Sequence, residues 1–265
     1  MKDILFLCDL DDTLLYSFRH KKEGDICVEK IDGKAHGYMP PDVYNALGAL
    51  SRKVEFIPLT TRSQEQFERI EWPQGTEINY ALLSNGARLL VNGRADEEWE
   101  KIYDGIYSPY NAEISALLKS LKSLTQYGVK SVDNRYIQVN CKTAEGAQKL
   151  ICTFGKDGKL TRAASGKKAY FYPPNADKGG AAARIKAKLK HKVTIAAGDS
   201  ETDVNMLLEA DYAVAHERLK KYFPENSNAT FYGGGNFPLF VLERVGEITG
   251  RLNYEKHDDM SELRK

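Results

Sequence analysis

Short, largely apolar runs recur along the chain and alternate with stretches of helical character. Residues 4–8, 54–59 and 193–197 form such runs, and shorter ones follow at 212–214 and 230–232. Apolar runs of this length are typical of strands buried on both faces of a parallel sheet. The stretches between them predict helices at 41–50, 178–189, 202–209 and 237–248. The alternation predicts a doubly wound α/β fold with a parallel sheet.

The middle of the chain departs from this alternation. Its predicted elements are helices at 114–124 and 144–151 and strands at 129–132, 135–140 and 169–172. We therefore expect an inserted α+β domain at 88–172 and a core domain made of 1–87 and 173–265. A hairpin at 26–39, turning at Asp32 and the following glycine, is expected just after the first strand.

Composition excludes several classes of protein. The 38 Lys+Arg and 37 Asp+Glu leave a net charge of +1, which removes the usual electrostatic case for binding nucleic acid or a membrane surface. The longest clean apolar run, at 4–8, is far shorter than the ~18 residues of a membrane span. We expect a cytoplasmic protein with no nucleic-acid and no membrane partner. The scattered cysteines indicate neither a zinc site nor a disulfide framework.

Acidic residues follow the first predicted strand directly. Asp9, Asp11 and Asp12 stand at the carboxyl end of that strand, where open α/β sheets bind ligands. Their mutual repulsion beside an apolar strand indicates a bound cation or substrate group. An EF-hand is excluded, because Leu14 and His20 occupy its required Gly and Glu positions. An Asx-rich turn or helix cap remains the alternative.

Three further strand or helix ends carry candidate residues. Asp199 and Asp203 follow the run at 193–197, so they could share a Mg²⁺ ion with the first cluster, although acids also favour any helix N-terminus. Thr60, followed by Thr61 and Arg62, comes directly after the apolar run at 54–59. These residues could donate hydrogen bonds to an anion, or Thr60 could be a plain helix cap. A lysine, Lys178, begins a predicted helix, where the helix dipole disfavours a cation.

Taken together and in this order, the four segments resemble the haloacid dehalogenase-like (HAD) superfamily of aspartate-nucleophile phosphatases. The matching motifs are Asp9-Leu10-Asp11-Asp12-Thr13, then Thr60, then Lys178, and finally Gly198-Asp199 with Asp203. The insert at 88–172 corresponds to the large α/β cap that some members carry between the second and third motifs. Asn85 lies in a segment similar to the Asn-Gly segment before that cap. Relatives often have Gly, Gly and Asn where this chain has Asp12, Thr61 and Thr202.

The resemblance implies a mechanism and a cofactor. Asp9 is implied as the nucleophile and Asp11 as the acid and base, a role that needs a raised pKa. Mg²⁺ is implied at Asp9, at the backbone carbonyl of Asp11 and at Asp199, with Asp203 orienting a metal-bound water or Lys178. The phosphoryl oxygens would be bound by Thr60 and Lys178.

Substrate choice is expected to come from residues around and within the cap. Candidate binding residues are Thr61, Arg62, Asn85 and Arg135, with a basic set in the cap as further candidates: Asn134, Lys142, Lys156, Lys159, Arg162, Lys167 and Lys168. A solvated basic face is the plainer interpretation of that set.

The sequence thus predicts a Mg²⁺-dependent phosphatase of a small phosphorylated metabolite, because members with this cap commonly act on sugar phosphates. P-loop, zinc-protease and serine-hydrolase motifs are missing. Two alternatives stay open: a phosphomannomutase-like phosphotransferase and a catalytically silent phosphosugar-binding module. Either a monomer or a homodimer is compatible with the sequence.

Overall fold

The computed structural model describes residues 2–124 and 127–262, with side chains through residue 252. The strands are β1 (Ile4–Cys8), β2 (Tyr16–Ser17), β3 (Ile26–Ile31), β4 (Lys34–Met39), β5 (Glu55–Pro58), β6 (Tyr80–Leu83), β7 (Arg88–Val91), β8 (Arg94–Ala95), β9 (Gly128–Val132), β10 (Tyr136–Asn140), β11 (Thr161–Ser165), β12 (Lys168–Tyr172), β13 (Val193–Gly198), β14 (Tyr212–His216) and β15 (Ala229–Tyr232). The α-helices are α1 (Pro41–Lys53), α2 (Gln64–Glu68), α3 (Glu97–Tyr107), α4 (Asn111–Lys122), α5 (Ala144–Thr153), α6 (Lys178–Leu189), α7 (Val204–Leu208) and α8 (Phe237–Glu262).

A parallel sheet with the strand order β15-β14-β13-β1-β5 forms the centre of the core domain. Every residue of β1 is buried, because helices cover both faces of the sheet. Leu5 and Leu7 pack on one face with α6, whereas Phe6 and Cys8 pack on the other with α1 and α8. The predicted doubly wound α/β fold is confirmed, and the five predicted core strands begin and end within two residues of the observed ones.

The cap is a four-stranded antiparallel sheet of order β11-β12-β10-β9. On one face, Ile137 and Phe171 pack with the apolar sides of α4 and α5. On the other face Tyr136, Tyr170 and Tyr172 form a separate cluster. The hydroxyl of Tyr136 donates a hydrogen bond of 2.8 Å to the backbone carbonyl of Thr61 in the core, so the aromatic face is turned toward the core.

The segment between β6 and α4 packs against the core. The indole of Trp99 in α3 donates to the carbonyl of Gly86 at 3.0 Å, and Lys188 of α6 pairs with Asp96 and Glu98 at the start of α3. The domain boundary at residue 88 stays a prediction.

The predicted hairpin at 26–39 is present as β3 and β4, with β2 beside β4. Its turn residues Asp32 and Gly33 both have positive φ, as a tight hairpin turn requires. The backbone N–H of Glu71 donates to the carbonyl of Val28 at 2.7 Å, which attaches β3 to the core just beyond α2. None of the described helices is long and apolar enough to cross a membrane.

Candidate active site

The carboxyl edge of the parallel sheet carries the motifs that the sequence predicts to meet. Asp9 directly follows β1, Asp199 directly follows β13, and Thr60 lies two residues beyond β5. The backbone N–H of Asp9 donates to the carbonyl of Ala197 at 3.0 Å, so the strand register is kept up to the acidic residue. Parallel strands end at the same edge, and this brings side chains distant in sequence into one site.

Lys178 joins two of these carboxylates. Its ammonium lies 2.5 Å from Asp9 Oδ1 and 2.5 Å from Asp203 Oδ1, and its side chain is only 1% exposed. Burial by itself lowers the pKa of Lys178, but the charges of Asp203 and Asp9 outweigh burial and raise it, so the amine is cationic. These two carboxylates explain a cation at the start of α6, where the helix dipole opposes it.

Asp9, Asp199 and Asp203 form an acidic cluster whose ligand oxygens lie within 4.8 Å of one another. All three are buried, and the hydroxyl of Thr13 donates toward both Asp9 and Asp199, at 3.2 and 3.3 Å. Burial raises the pKa of Asp199, and the charges of Asp203 and Asp9 raise it further, although Arg218 opposes them. Three mutually repelling carboxylates supply the hard oxygen donors that Mg²⁺ prefers, so the residues fit such an ion.

The two aspartates of the fourth motif have different partners. Asp203 accepts hydrogen bonds at Oδ2 from the backbone N–H groups of Asp199 and Ser200, and Lys178 occupies its Oδ1. Asp199 instead pairs with Arg218, whose Nε also donates to the Asp199 carbonyl at 2.6 Å. Asp203 is therefore fixed by the loop and by Lys178, whereas Asp199 faces the cavity described below.

Asp11 does not join the acidic cluster, because its carboxylate binds Arg62. The Nε and Nη2 of Arg62 donate to the two carboxylate oxygens at 3.0 and 2.7 Å. Desolvation raises the pKa of Asp11, but the charge and hydrogen bonds of Arg62 outweigh it, and the net pKa is lowered. This corrects the expectation of a raised pKa: in this conformation Asp11 is an ionised carboxylate.

Glu29 of β3 is a further member of the site that the sequence analysis missed. Its carboxylate, 1% exposed, lies 3.0 Å from Nη1 of Arg62 and 3.2 Å from Nε of Arg69. Arg218 was also missed, although it follows β14 and the strand-end rule that found Asp9 could have found it. Nothing in the local sequence around Glu29 signals a buried charge.

Asp12 occupies a left-handed backbone conformation, with φ of 62°. This accounts for the glycine that relatives often carry there, since glycine adopts positive φ without strain and aspartate is among the residues that tolerate it. Its carboxylate Oδ1 lies 3.2 Å from His20 Nδ1, at the edge of the cavity.

Two adjoining cavities lie between core and cap. The main cavity, of about 490 Å³, is lined by Asp9, Asp11, Asp12, Thr61, Ala144, Ser165, Gly166, Lys167, Lys168, Tyr170, Lys178, Asp199, Ser200, Glu201, Thr202 and Arg218. The second cavity, of about 310 Å³, is lined by Asp11, Asp12, Ser17, Glu29, Ile31, His36, Thr61, Arg62, Gln66, Arg69, Lys130, Gln138 and Lys168. Four residues border both cavities and so lie between the acidic cluster and the polar second cavity: Asp11, Asp12, Thr61 and Lys168.

The candidate substrate-binding residues separate into two groups. Thr61 and Arg62 line the cavities, and Thr60 is buried behind them. Asn85 is buried and donates to the carbonyl of Ala176 at 3.4 Å, while its N–H donates to the Thr60 carbonyl. Asn85 therefore braces the loops that carry Thr60 and Lys178, and it does not line either cavity.

Arg135 is likewise placed away from the cavities. Its guanidinium pairs with Glu100 at 2.6 Å and with Asp104 at 2.5 Å, and it lies over the ring of Tyr107. These contacts join the cap hairpin to α3, and they do not support the predicted contact with substrate. Of the basic cap residues proposed from the sequence, Lys167 and Lys168 do line the main cavity.

Comparison with solved structures shows that known phosphatases share this fold. No family model matches the chain, and no curated protein matches it by sequence. The chain is similar to the sucrose-phosphatase from Synechocystis, solved with sucrose and phosphate, with a TM-score of 0.62, 16% identity, and 93% of this chain and 98% of that chain covered.

Two further structures show the same fold. The C-terminal domain of the trehalose-6-phosphate phosphatase from C. albicans aligns with a TM-score of 0.55 and 16% identity over 94% of this chain and 92% of that chain. A HAD-superfamily phosphatase from Bacteroides thetaiotaomicron aligns with a TM-score of 0.55 and 15% identity over 93% and 96%. The chain therefore has a HAD sugar-phosphatase-like fold across nearly its whole length.

Proposed function

We propose that the protein is a Mg²⁺-dependent phosphate-monoester hydrolase that acts through an aspartyl-phosphate on a sugar phosphate or a similar small metabolite. The observation that carries this proposal is the meeting of Asp9, Lys178, Asp199 and Asp203 at one strand edge, beside a cavity bordered by the cap. Buried, mutually repelling carboxylates have little use in a passive binding module.

In the first step, Asp9 Oδ forms a bond to phosphorus while the bond from phosphorus to the leaving oxygen breaks. Lys178 and Thr60 would bind the phosphoryl oxygens. Asp9 and Asp199 would hold Mg²⁺, whose charge reduces the repulsion between a carboxylate and a phosphate. Asp203, saturated by the backbone N–H groups of Asp199 and Ser200, keeps the Lys178 ammonium in place.

Asp11 would supply the proton that the leaving oxygen takes up. Because Asp11 is ionised on Arg62, it has to leave the guanidinium and take up a proton before it can donate one. In the second step water attacks the phosphorus of the aspartyl-phosphate and gives its proton to Asp11, and Asp9 is released with inorganic phosphate.

The second cavity supports a polyol as leaving group. It opens from Asp11 and is lined by hydrogen-bonding side chains of the core and the cap, including His36, Gln66, Lys130 and Gln138. Sites that recognise hydroxyl groups discriminate strongly against analogues that lack them, because their buried polar groups are then left unpaired.

A phosphate-release screen over sugar phosphates, nucleotides and p-nitrophenyl phosphate, with and without Mg²⁺, tests the proposal. We expect Mg²⁺-dependent release that is fastest with a sugar phosphate, and none from Asp9→Asn. No release from any substrate by the folded, Mg²⁺-supplied protein would leave the silent binding module as the better interpretation. Phosphate moved within the substrate in the presence of a bisphosphate activator would favour a mutase.

A further inference from the structure

The β3–β4 hairpin buries a carboxylate that ordinary strand geometry would not bury. Val28 and Glu29 are consecutive residues and both are buried, with 1% and 2% of their surface exposed. In a regular strand consecutive side chains point to opposite faces, so a strand with one solvent-facing side would expose one of the two. The pairing with β4 shifts register on both sides of Glu29, so a bulge lies at this residue. Bulges re-aim side chains in this way, and they occur often beside active sites.

The strand opposite leaves room for that carboxylate. Gly37 pairs with Glu29, and a Cβ at position 37 would lie 2.9 Å from both Cβ and Oε2 of Glu29. Any larger residue at Gly37 would therefore displace the Glu29 side chain. The bulge and the glycine together direct one charged group inward.

Because of the Glu29 carboxylate, the Arg62 guanidinium pairs with two carboxylates and not with Asp11 alone. Nη1 of Arg62 forms an ion pair with Glu29 Oε2 at 3.0 Å and donates its hydrogen bond to the carbonyl of Gln66. Its Nε and Nη2 donate to Asp11, and the Arg62 side chain is only 10% exposed. A buried guanidinium with two carboxylate partners can keep one of them when the other departs, whereas one with a single partner holds that partner strongly.

We propose that Glu29 is a positioning residue that holds Arg62 in competition with Asp11, so that Asp11 can leave the guanidinium and reach the leaving group. This inference rests on the proposed phosphatase function. It assigns to the hairpin a role in the step that needs proton transfer to the leaving oxygen. Glu29 borders the second cavity, but its carboxylate is only 1% exposed, so its role is through Arg62.

The test compares two leaving groups in the Glu29→Gln variant of the full chain with Mg²⁺. An alkyl phosphate, β-glycerophosphate, needs a proton on its leaving oxygen, whereas p-nitrophenol leaves readily as an anion. We expect kcat/KM for β-glycerophosphate to fall about tenfold, because Arg62 would then hold Asp11 without a competing carboxylate, and that for p-nitrophenyl phosphate to stay within about twofold.

Glu65→Gln is the matched control, because Glu65 pairs with the same Arg69 but is exposed and does not touch Arg62. It should leave both substrates unchanged. Equal losses on both substrates in Glu29→Gln, or no loss on either, would overturn the inference. A wild-type protein inert toward both substrates and toward the sugar phosphates would instead overturn the proposed function.

If thermal melting shows that Glu29→Gln does not fold, Gly37→Ala provides a second route, because it displaces the carboxylate and keeps its charge. The same selective loss on β-glycerophosphate is expected from it. An unselective loss in a folded Gly37→Ala protein would also count against the role of Glu29.

Discussion

The core side and the cap side of the main cavity differ in how their charged groups are held. On the core side Asp9 and Asp203 are buried, and each forms an ion pair with the buried Lys178. On the cap side Lys167 and Lys168 are exposed, and no described residue forms an ion pair with either. In the proposed reaction, the core would therefore fix the reacting groups within narrow limits, whereas the cap lysines would adapt to different leaving groups.

The largest expected effect tests the core side. Asp9→Asn should lower kcat by several orders of magnitude, because the amide cannot act as the nucleophile. Single-turnover phosphate release measures it, with Asp157→Asn, an exposed carboxylate in the cap, as the control that keeps full activity. A rate above ~10% of wild type would contradict covalent catalysis by Asp9.

Metal removal tests the same side through the cofactor. Exhaustive treatment with EDTA should abolish phosphate release, and added Mg²⁺ should restore it, because Asp9 and Asp199 would otherwise face the phosphate as uncompensated anions. Undiminished turnover of the metal-free protein would refute a shared magnesium site.

A matched pair of lysine variants compares the two sides directly. Lys178→Met leaves two buried carboxylates without their cation and should lower the free energy of unfolding by about 3 kcal/mol or more. Lys168→Met removes an exposed lysine and should change it by less than about 0.5 kcal/mol. Urea unfolding of both variants measures the difference, and similar losses would remove the distinction between the two sides.

The cap side should instead affect choice among substrates. Lys168→Ala should lower kcat/KM unequally across sugar phosphates, by about 1–3 kcal/mol for the best of them, and leave p-nitrophenyl phosphate nearly unchanged. Steady-state kinetics over the panel measures this. A uniform loss would indicate that Lys168 acts on the phosphoryl group and not on the leaving group.

The smallest effect is expected at Arg135. Because its guanidinium pairs with Glu100 and Asp104, Arg135→Ala should cost about 1 kcal/mol of stability and leave the relative kcat/KM values of the sugar phosphates unchanged. Thermal melts with the substrate panel measure both quantities. A change in substrate preference would instead indicate that Arg135 contacts the substrate.

The core could be predicted from sequence because it combines two local signals. An apolar run such as Ile4–Cys8 has to be buried, and an acidic residue directly after it has to lie at the strand edge. Lys178 could be predicted as a site residue for a related reason, since a cation at the start of a helix needs an acidic partner. These signals depend only on residues adjacent in the chain.

The rest of the site depends on contacts between residues far apart in sequence. The lowered pKa of Asp11 comes from Arg62, 51 residues away. Glu29 is buried because of a bulge, and no turn residue in the sequence predicts that bulge. Arg135 is held away from the cavities by acidic residues of α3, a helix that the sequence pattern did not predict. Partner choice among charged side chains was therefore the part that local patterns could not supply.

The loop before the cap has a consequence for how the chain can vary. Gly86 has φ of +88°, and a Cβ there would lie 2.2 Å from the Cβ of Ala181, in the first turn of α6. Any side chain at position 86 would push outward the helix whose first residue is Lys178. Gly86 thus fixes the distance between its loop and the first turn of α6, and with it the position of the Lys178 ammonium relative to the strand ends. We therefore expect every larger amino acid to be excluded at position 86.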